Sequence, residues 1–146
     1  MSYAFDQYHS DTEITRPKTT VHNTIGYALL GLIGELGEVV QNFDLTPQTD
    51  EELVIHRKLR EFQTLAAEIE ALKKHIRKQQ AITFPKARHT LHETVEELGG
   101  VYWYLNNLAD LTGTSMDAVA QANAEMLQRR FANNPEWMTN GGVKTH

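Results

Sequence analysis

Proline sets the first limit on what this chain can fold into. It occurs only at positions 17, 47, 85 and 135. Because proline lacks an N–H and clashes with the preceding turn, helices stop or start at it rather than run through it. The four prolines therefore cut the chain into pieces of helical length. After Pro17 comes T-T-V-H-N-T-I-G-Y-A-L-L-G-L-I-G-E-L-G-E-V-V-Q-N-F, in which Ile25, Leu29, Leu32, Leu36, Val40 and Phe43 recur at threes and fours. That is the helical period, and it predicts a helix over 19–43 with Thr19 or Thr20 as N-cap. Gly26, Gly31, Gly34 and Gly37 share it. A glycine costs a helix about 1 kcal/mol relative to alanine, so four of them imply that something approaches the backbone closely.

A second helix is expected between Pro47 and Pro85. Leu59, Phe62, Leu65 or Ala66, Ile69, Leu72 and Ile76 form a narrow apolar seam, of the width that suits a hairpin or a dimer partner. Asp50 and Glu51 open this helix, and Lys73, Lys74, Arg77 and Lys78 close it, in keeping with the helix dipole. A third helix is expected from about Lys86 to Leu111, ending near Gly113. A fourth starts at Ser115, an N-cap residue with Asp117 in the first turn, and runs to about Ala132. Residues 1–18 and 135–146 read as irregular. No segment alternates as a strand does, so the expectation is one all-α domain over 1–146, a bundle of four to five helices.

Composition narrows the chemistry. Without cysteine the chain has no disulfide, no thiolate nucleophile and no cysteine-ligated zinc. A net charge of −5 gives no overall basic field for nucleic acid, although a bound divalent cation reverses the local sign for a nucleotide. No apolar run approaches the roughly 18 residues of a membrane span. The opening M-S-Y-A-F-D-Q-Y-H-S does not resemble a signal peptide, and a cytoplasmic protein is expected.

Glu35 and Glu38 stand i, i+3 on the glycine-rich helix, about 60° apart around its axis and one turn apart along it. Glu97 lies on another helix in similarly apolar company: Val95, Leu98, Val101, Trp103 and Leu105. Three carboxylates from two facing helices make an oxygen-only donor set suited to Mg²⁺ or Mn²⁺. The other reading of the same spacing is structural, with each glutamate paired to a Lys or Arg of the second helix. No Ser-His, Cys-His or G-x-x-x-x-G-K-S/T pattern is present, so neither a side-chain nucleophile nor a P-loop is indicated.

G-L-I-G-E-L-G-E-V-V, then E-E-L-G-x-V-Y-W-Y-L-N-N-L-A, then N-A-E-M-L-Q-R-R-F together resemble the MazG-like, all-α nucleoside triphosphate pyrophosphohydrolases. The likeness covers residues 20–44 and 90–131. That family carries E-x-x-E on one helix, E-x-x-D on the next and an N-x-x-K-x-x-x-R type segment on the last. The resemblance implies a helical bundle, homodimeric or homotetrameric, that hydrolyses (deoxy)nucleoside triphosphates to monophosphate and pyrophosphate in nucleotide-pool housecleaning. It implies Glu35, Glu38 and Glu97 as ligands of Mg²⁺ on the triphosphate, with water attacking phosphorus. Tyr104, Asn123 and Arg130 would then lie near the substrate.

The sequence departs from that pattern in three places. Where the family has the aspartate of E-x-x-D, this chain has Gly100, so one metal carboxylate is missing; Glu93 is a weak substitute, about 10 Å away along the helix. This leaves open a catalytically impaired nucleotide- or protein-binding module. The lysine position of the last helix is Met126, between Asn123 and Arg130, and reads as core packing, while Arg129 or Arg130 remains able to reach phosphate. Fifty-eight residues lie between Glu38 and Glu97, longer than the family's usual gap. An extended or additional helical hairpin around 49–85 is expected to fill it. Tyr102 and Trp103 read as core or interface aromatics, and His89 with His92 as a solvent-facing pair rather than metal ligands.

Overall fold

The computed structural model describes residues 3–13, 15, 24–76 and 90–133. Five helices and no strand occur among them: α1 (Phe5–Glu13), α2 (Ile25–Gln41), α3 (Asp50–Ile76), α4 (Leu91–Leu111) and α5 (Met116–Asn133). The chain divides into two compact units. One holds residues 19–83 with α2 and α3, and the other holds 1–18 and 84–146 with α1, α4 and α5.

In the first unit α2 begins at Ile25, where the Thr24 hydroxyl accepts from the Tyr27 N–H at 3.3 Å. The N-cap is therefore Thr24 and not Thr19 or Thr20 as expected from the sequence, because the extended backbone of Thr24 separates α2 from them; those two residues lie outside the described ones. The helix closes at Asn42, whose N–H reaches the Val39 carbonyl at 3.1 Å. Thr49 then starts α3 by accepting from the Glu52 N–H at 3.1 Å, while the Glu52 carboxylate accepts from the Gln48 N–H at 2.6 Å. The two helices run antiparallel: Gly31 faces Lys73, Gly34 faces Glu70 and Gly37 faces Ala66. Gly34 and Gly37 are both buried. A Cβ on Gly37 would run into the Ala66 Cβ, and one on Gly34 into the Glu70 carboxylate. The close approach implied by the glycines is therefore that of α3.

The seam of α3 takes Ala66 of the two residues offered at 65 and 66, and differs by one residue from the expected seam at Lys73. Ala66 is buried while Leu65 is exposed, and Lys73 is buried while Leu72 is exposed. Positions 59, 62, 66, 69, 73 and 76 step by threes and fours in strict alternation, the 3.5-residue repeat of a close helix pair. A lysine thus takes a seam position. Its Nζ lies 3.0 Å from Glu70 Oε2, as an ion pair without hydrogen-bond geometry, and 5.5 Å from the Tyr27 ring centroid. The long span between the acidic motifs is filled, in its described part, by the single helix α3 paired with α2. The later part of the hairpin expected around 49–85 lies outside the described residues, as do Arg77 and Lys78.

In the second unit the first residues are helical, not irregular as their polarity suggested. α1 packs on α5 through a hydrogen bond from Tyr8 Oη to Asn123 Oδ1 of 2.6 Å, and the Phe5 ring meets the Tyr102 ring of α4 edge to face at 5.4 Å. Tyr3 and Gln7 both donate to the Asp11 carboxylate, tying α1 to itself; the bond pushes the Tyr3 phenol up to about 12. α4 starts with a capping box. The Thr90 hydroxyl accepts from the Glu93 N–H at 3.3 Å, and the Glu93 carboxylate accepts from the Thr90 N–H at 2.7 Å. α4 ends before Gly113, whose φ of 90° is the left-handed conformation that glycine adopts without strain. α5 follows directly, with the Ser115 hydroxyl accepting from the Ala118 N–H at 3.2 Å.

Apolar stripes at four-three spacing stay exposed on both units: Ile25, Leu29 and Leu32 on α2, and Leu91, Val95 and Leu98 on α4.

Two outcomes are expected. Gly37→Ala destabilises the α2–α3 unit by about 1–3 kcal/mol, the cost of overpacking, and adding Ala66→Gly recovers part of the loss in thermal melts. The second concerns Glu93, whose carboxyl is held below its usual range by the Thr90 N–H and hydroxyl. A depressed folded-state pKa contributes stability above the ordinary glutamate pKa and loses it as pH falls through the lowered value. Amide exchange in the first turn of α4 therefore quickens on acidification, and Glu93→Gln flattens that dependence.

Candidate functional site

Glu35 and Glu38 each follow a glycine that contacts or nears α3. A helix turns about 100° per residue, so a residue one position past a buried glycine is swung out of the contact line. Both glutamates are accordingly exposed. The apolar company of these residues does not bury them. Glu38 lies on the wall of a groove of about 270 Å³ between α2 and α3, together with Gly34, Gly37, Gln41, Gln63 and Glu70.

The second unit carries the other candidates. Glu97 is exposed, as is every residue from Thr90 to Gly100. Tyr104 is 72 % exposed with its ring edge-on to Trp103 at 4.8 Å. Tyr102 and Trp103 are exposed too, so neither is a core residue. Asn123 is half-buried under the bond from Tyr8. Met126 is half-buried on the same helix, while Arg129 and Arg130 are exposed. His92 forms an exposed ion pair with Glu96 at 3.2 Å when protonated; His89 lies outside the described residues. Glu93, the weak substitute for the missing aspartate, has its carboxylate engaged by Thr90.

None of Glu35, Glu38 and Glu97 has an ion-pair or hydrogen-bond partner among the described residues. Within the α2–α3 unit the pairing of Glu35 and Glu38 with Lys or Arg of α3 is thus not seen: Lys73 is taken by Glu70 and Lys58 by Glu61. Carboxylate oxygen is a donor type that Mg²⁺ takes, together with water and phosphate oxygens. Within neither unit do three or more His, Asp or Glu side chains gather closely enough to hold a metal by themselves, among the described residues. Tyr8 is the residue that sequence reasoning missed. It stands 115 positions from its partner Asn123, and no local pattern links the two.

Comparison with known proteins adds no relative: no family model, no curated protein and no solved structure matches the chain.

The position of Gly100 is open. A Cβ built there meets nothing within 4 Å, and the same holds for Gly99. Gly100→Asp is expected to leave the melting temperature close to unchanged, because the few tenths of a kcal/mol that aspartate gains over glycine in a helix interior are offset by like charge from Glu96 and Glu97 one turn before it. Gly34→Asp is expected to lower it clearly. Circular dichroism melts of the two variants measure the contrast.

Proposed function

We propose that the chain is a Mg²⁺-dependent nucleoside triphosphate pyrophosphohydrolase of the MazG-like type, converting (deoxy)nucleoside triphosphates to monophosphate and pyrophosphate. The observation that carries this reading is the pair Glu35 and Glu38: two solvent-facing carboxylates one turn apart, free of any protein cation among the described residues. They stand on a helix whose remaining residues are almost all apolar or glycine. With Glu97 they are the residues that would hold Mg²⁺ or Mn²⁺, which would neutralise the triphosphate and lower the pKa of water. Asn123 would donate an amide hydrogen bond to the substrate. Arg130 would place positive charge opposite a phosphate, and Tyr104, with its exposed ring, would contact the nucleotide. The reaction is nucleotide-pool housecleaning in the cytoplasm. The chain acts as a homodimer or homotetramer, for which the exposed four-three apolar stripes on α2 and α4 are the support.

Gly100 favours a second reading, a nucleotide- or protein-binding module that turns nothing over. The position where an aspartate would complete the donor set carries no side chain, and the space around it is empty.

Pyrophosphate release from a panel of NTPs and dNTPs with Mg²⁺ or Mn²⁺ decides between the two. The expected result is activity in the wild-type chain, abolished by Glu38→Gln. Activity confined to Gly100→Asp means an intact site lacking one carboxylate. Nucleotide-induced stabilisation with no pyrophosphate from either protein establishes the binding module, and an unchanged rate in Glu38→Gln sinks the metal assignment.

A further inference from the structure

The helix that the sequence did not announce ends up touching a candidate substrate residue. Tyr8 of α1 donates its phenolic hydrogen to Asn123 Oδ1 of α5 at 2.6 Å, in a partly buried setting. A second tie from α5 to α1, Gln128 Nε2 to the Asp11 carbonyl at 3.4 Å, lies on the same helix pair. Asp11 in turn is gripped by Tyr3 and by Gln7 at 2.8 Å, and the Thr12 hydroxyl donates to the Tyr8 carbonyl at 2.8 Å. The hydroxyl of Tyr8 is thus carried by a helix whose own side chains brace it.

An asparagine amide has one acceptor oxygen and a two-donor NH₂ group. Once its oxygen accepts from a phenol, the amide is no longer free to flip, and the NH₂ is held on the side away from Tyr8. No hydrogen bond takes up that NH₂ among the described residues. Asn123 and Arg130 are seven residues apart, two helical turns, so they share one stripe of α5 about 10 Å apart. That stripe offers a neutral amide donor and a guanidinium, the latter a group that grips phosphate through paired N–H bonds.

We infer that Tyr8 is a positioning residue: by fixing the amide of Asn123 it aims that side chain's N–H groups at the phosphates of a nucleoside triphosphate. The inference rests on the proposed nucleotide function. It assigns α1 a role in substrate binding through Asn123, not in the chemical step.

The test is a double-mutant cycle on the full chain, with Tyr8→Phe, Asn123→Ala and the two together. Binding of non-hydrolysable α,β-imido deoxynucleoside triphosphates with Mg²⁺ is followed by calorimetry, beside a thermal melt of each protein. Phenylalanine keeps the ring and removes only the hydroxyl. Tyr8→Phe is expected to weaken binding about three- to tenfold, the worth of one oriented hydrogen bond, and to have no further effect once Asn123 is alanine. Unchanged affinity in Tyr8→Phe, or losses that simply add, overturns the inference and leaves the nucleotide reading standing. If neither the wild-type chain nor Gly100→Asp binds any nucleotide, the functional reading itself fails. Coupling between the two residues seen in the melts alone then marks the bond as a helix staple and overturns the positioning role with it.

Discussion

The close approach of α2 to α3 is the constraint on which the first unit depends. Gly34 and Gly37 give up side chains so that Ala66 and Glu70 can press against the α2 backbone. Two features go with that contact. The pair becomes antiparallel with a 3.5-residue seam, and the residue after each contact glycine is turned outward. Glu35 and Glu38 owe their exposure to the glycines that precede them. The alternation of glycine and glutamate in G-E-L-G-E is thus one device with two effects, contact on one side and free carboxylates at its edge.

That contact also explains the burial of a lysine. Strict alternation of threes and fours from Leu59 brings position 73 onto the seam. There Gly31 leaves room for its ammonium, with Glu70 and the Tyr27 ring as company. A charged group of which the side chain is only 11 % exposed is tolerable when an opposite charge and an aromatic face stand beside it. Replacing Glu70 alone would leave that ammonium uncompensated, so the two residues form one structural unit.

The second unit is organised differently. Its helices are bounded by local devices: the capping box of Thr90 and Glu93, the left-handed Gly113 and the Ser115 cap. Contacts between them are made by a few specific side chains, Tyr8 with Asn123 and Phe5 with Tyr102, more than by a broad apolar core. Ala109 and Ala124 are the buried apolar residues described here. Small residues at these points let the helices approach, and the large ones, Leu91, Val95, Leu98 and Trp103, remain at the surface. The same division holds in the α2–α3 unit, where Ala66 is buried and Leu65 and Leu72 are not.

Much of this was legible in the sequence because it is local. The Ser115 cap, a terminating glycine, an apolar period and the i, i+3 glutamate pair are decided within one or two turns of the chain. The helix ends at Leu111 and the start after Ser115 were readable from single residues, and the crowding of glycine foretold a close neighbour. What needed the tertiary structure was every choice between adjacent positions. Ala66 or Leu65, and Lys73 or Leu72, are equivalent to within one residue along a helix, and only the facing glycines of α2 select between them. α1 was hidden for a related reason: a polar nine-residue stretch has no apolar period strong enough to declare itself, and its partners lie more than a hundred positions away. Local periodicity specifies which segments are helices, while the side each helix shows to its neighbour depends on the shape of that neighbour.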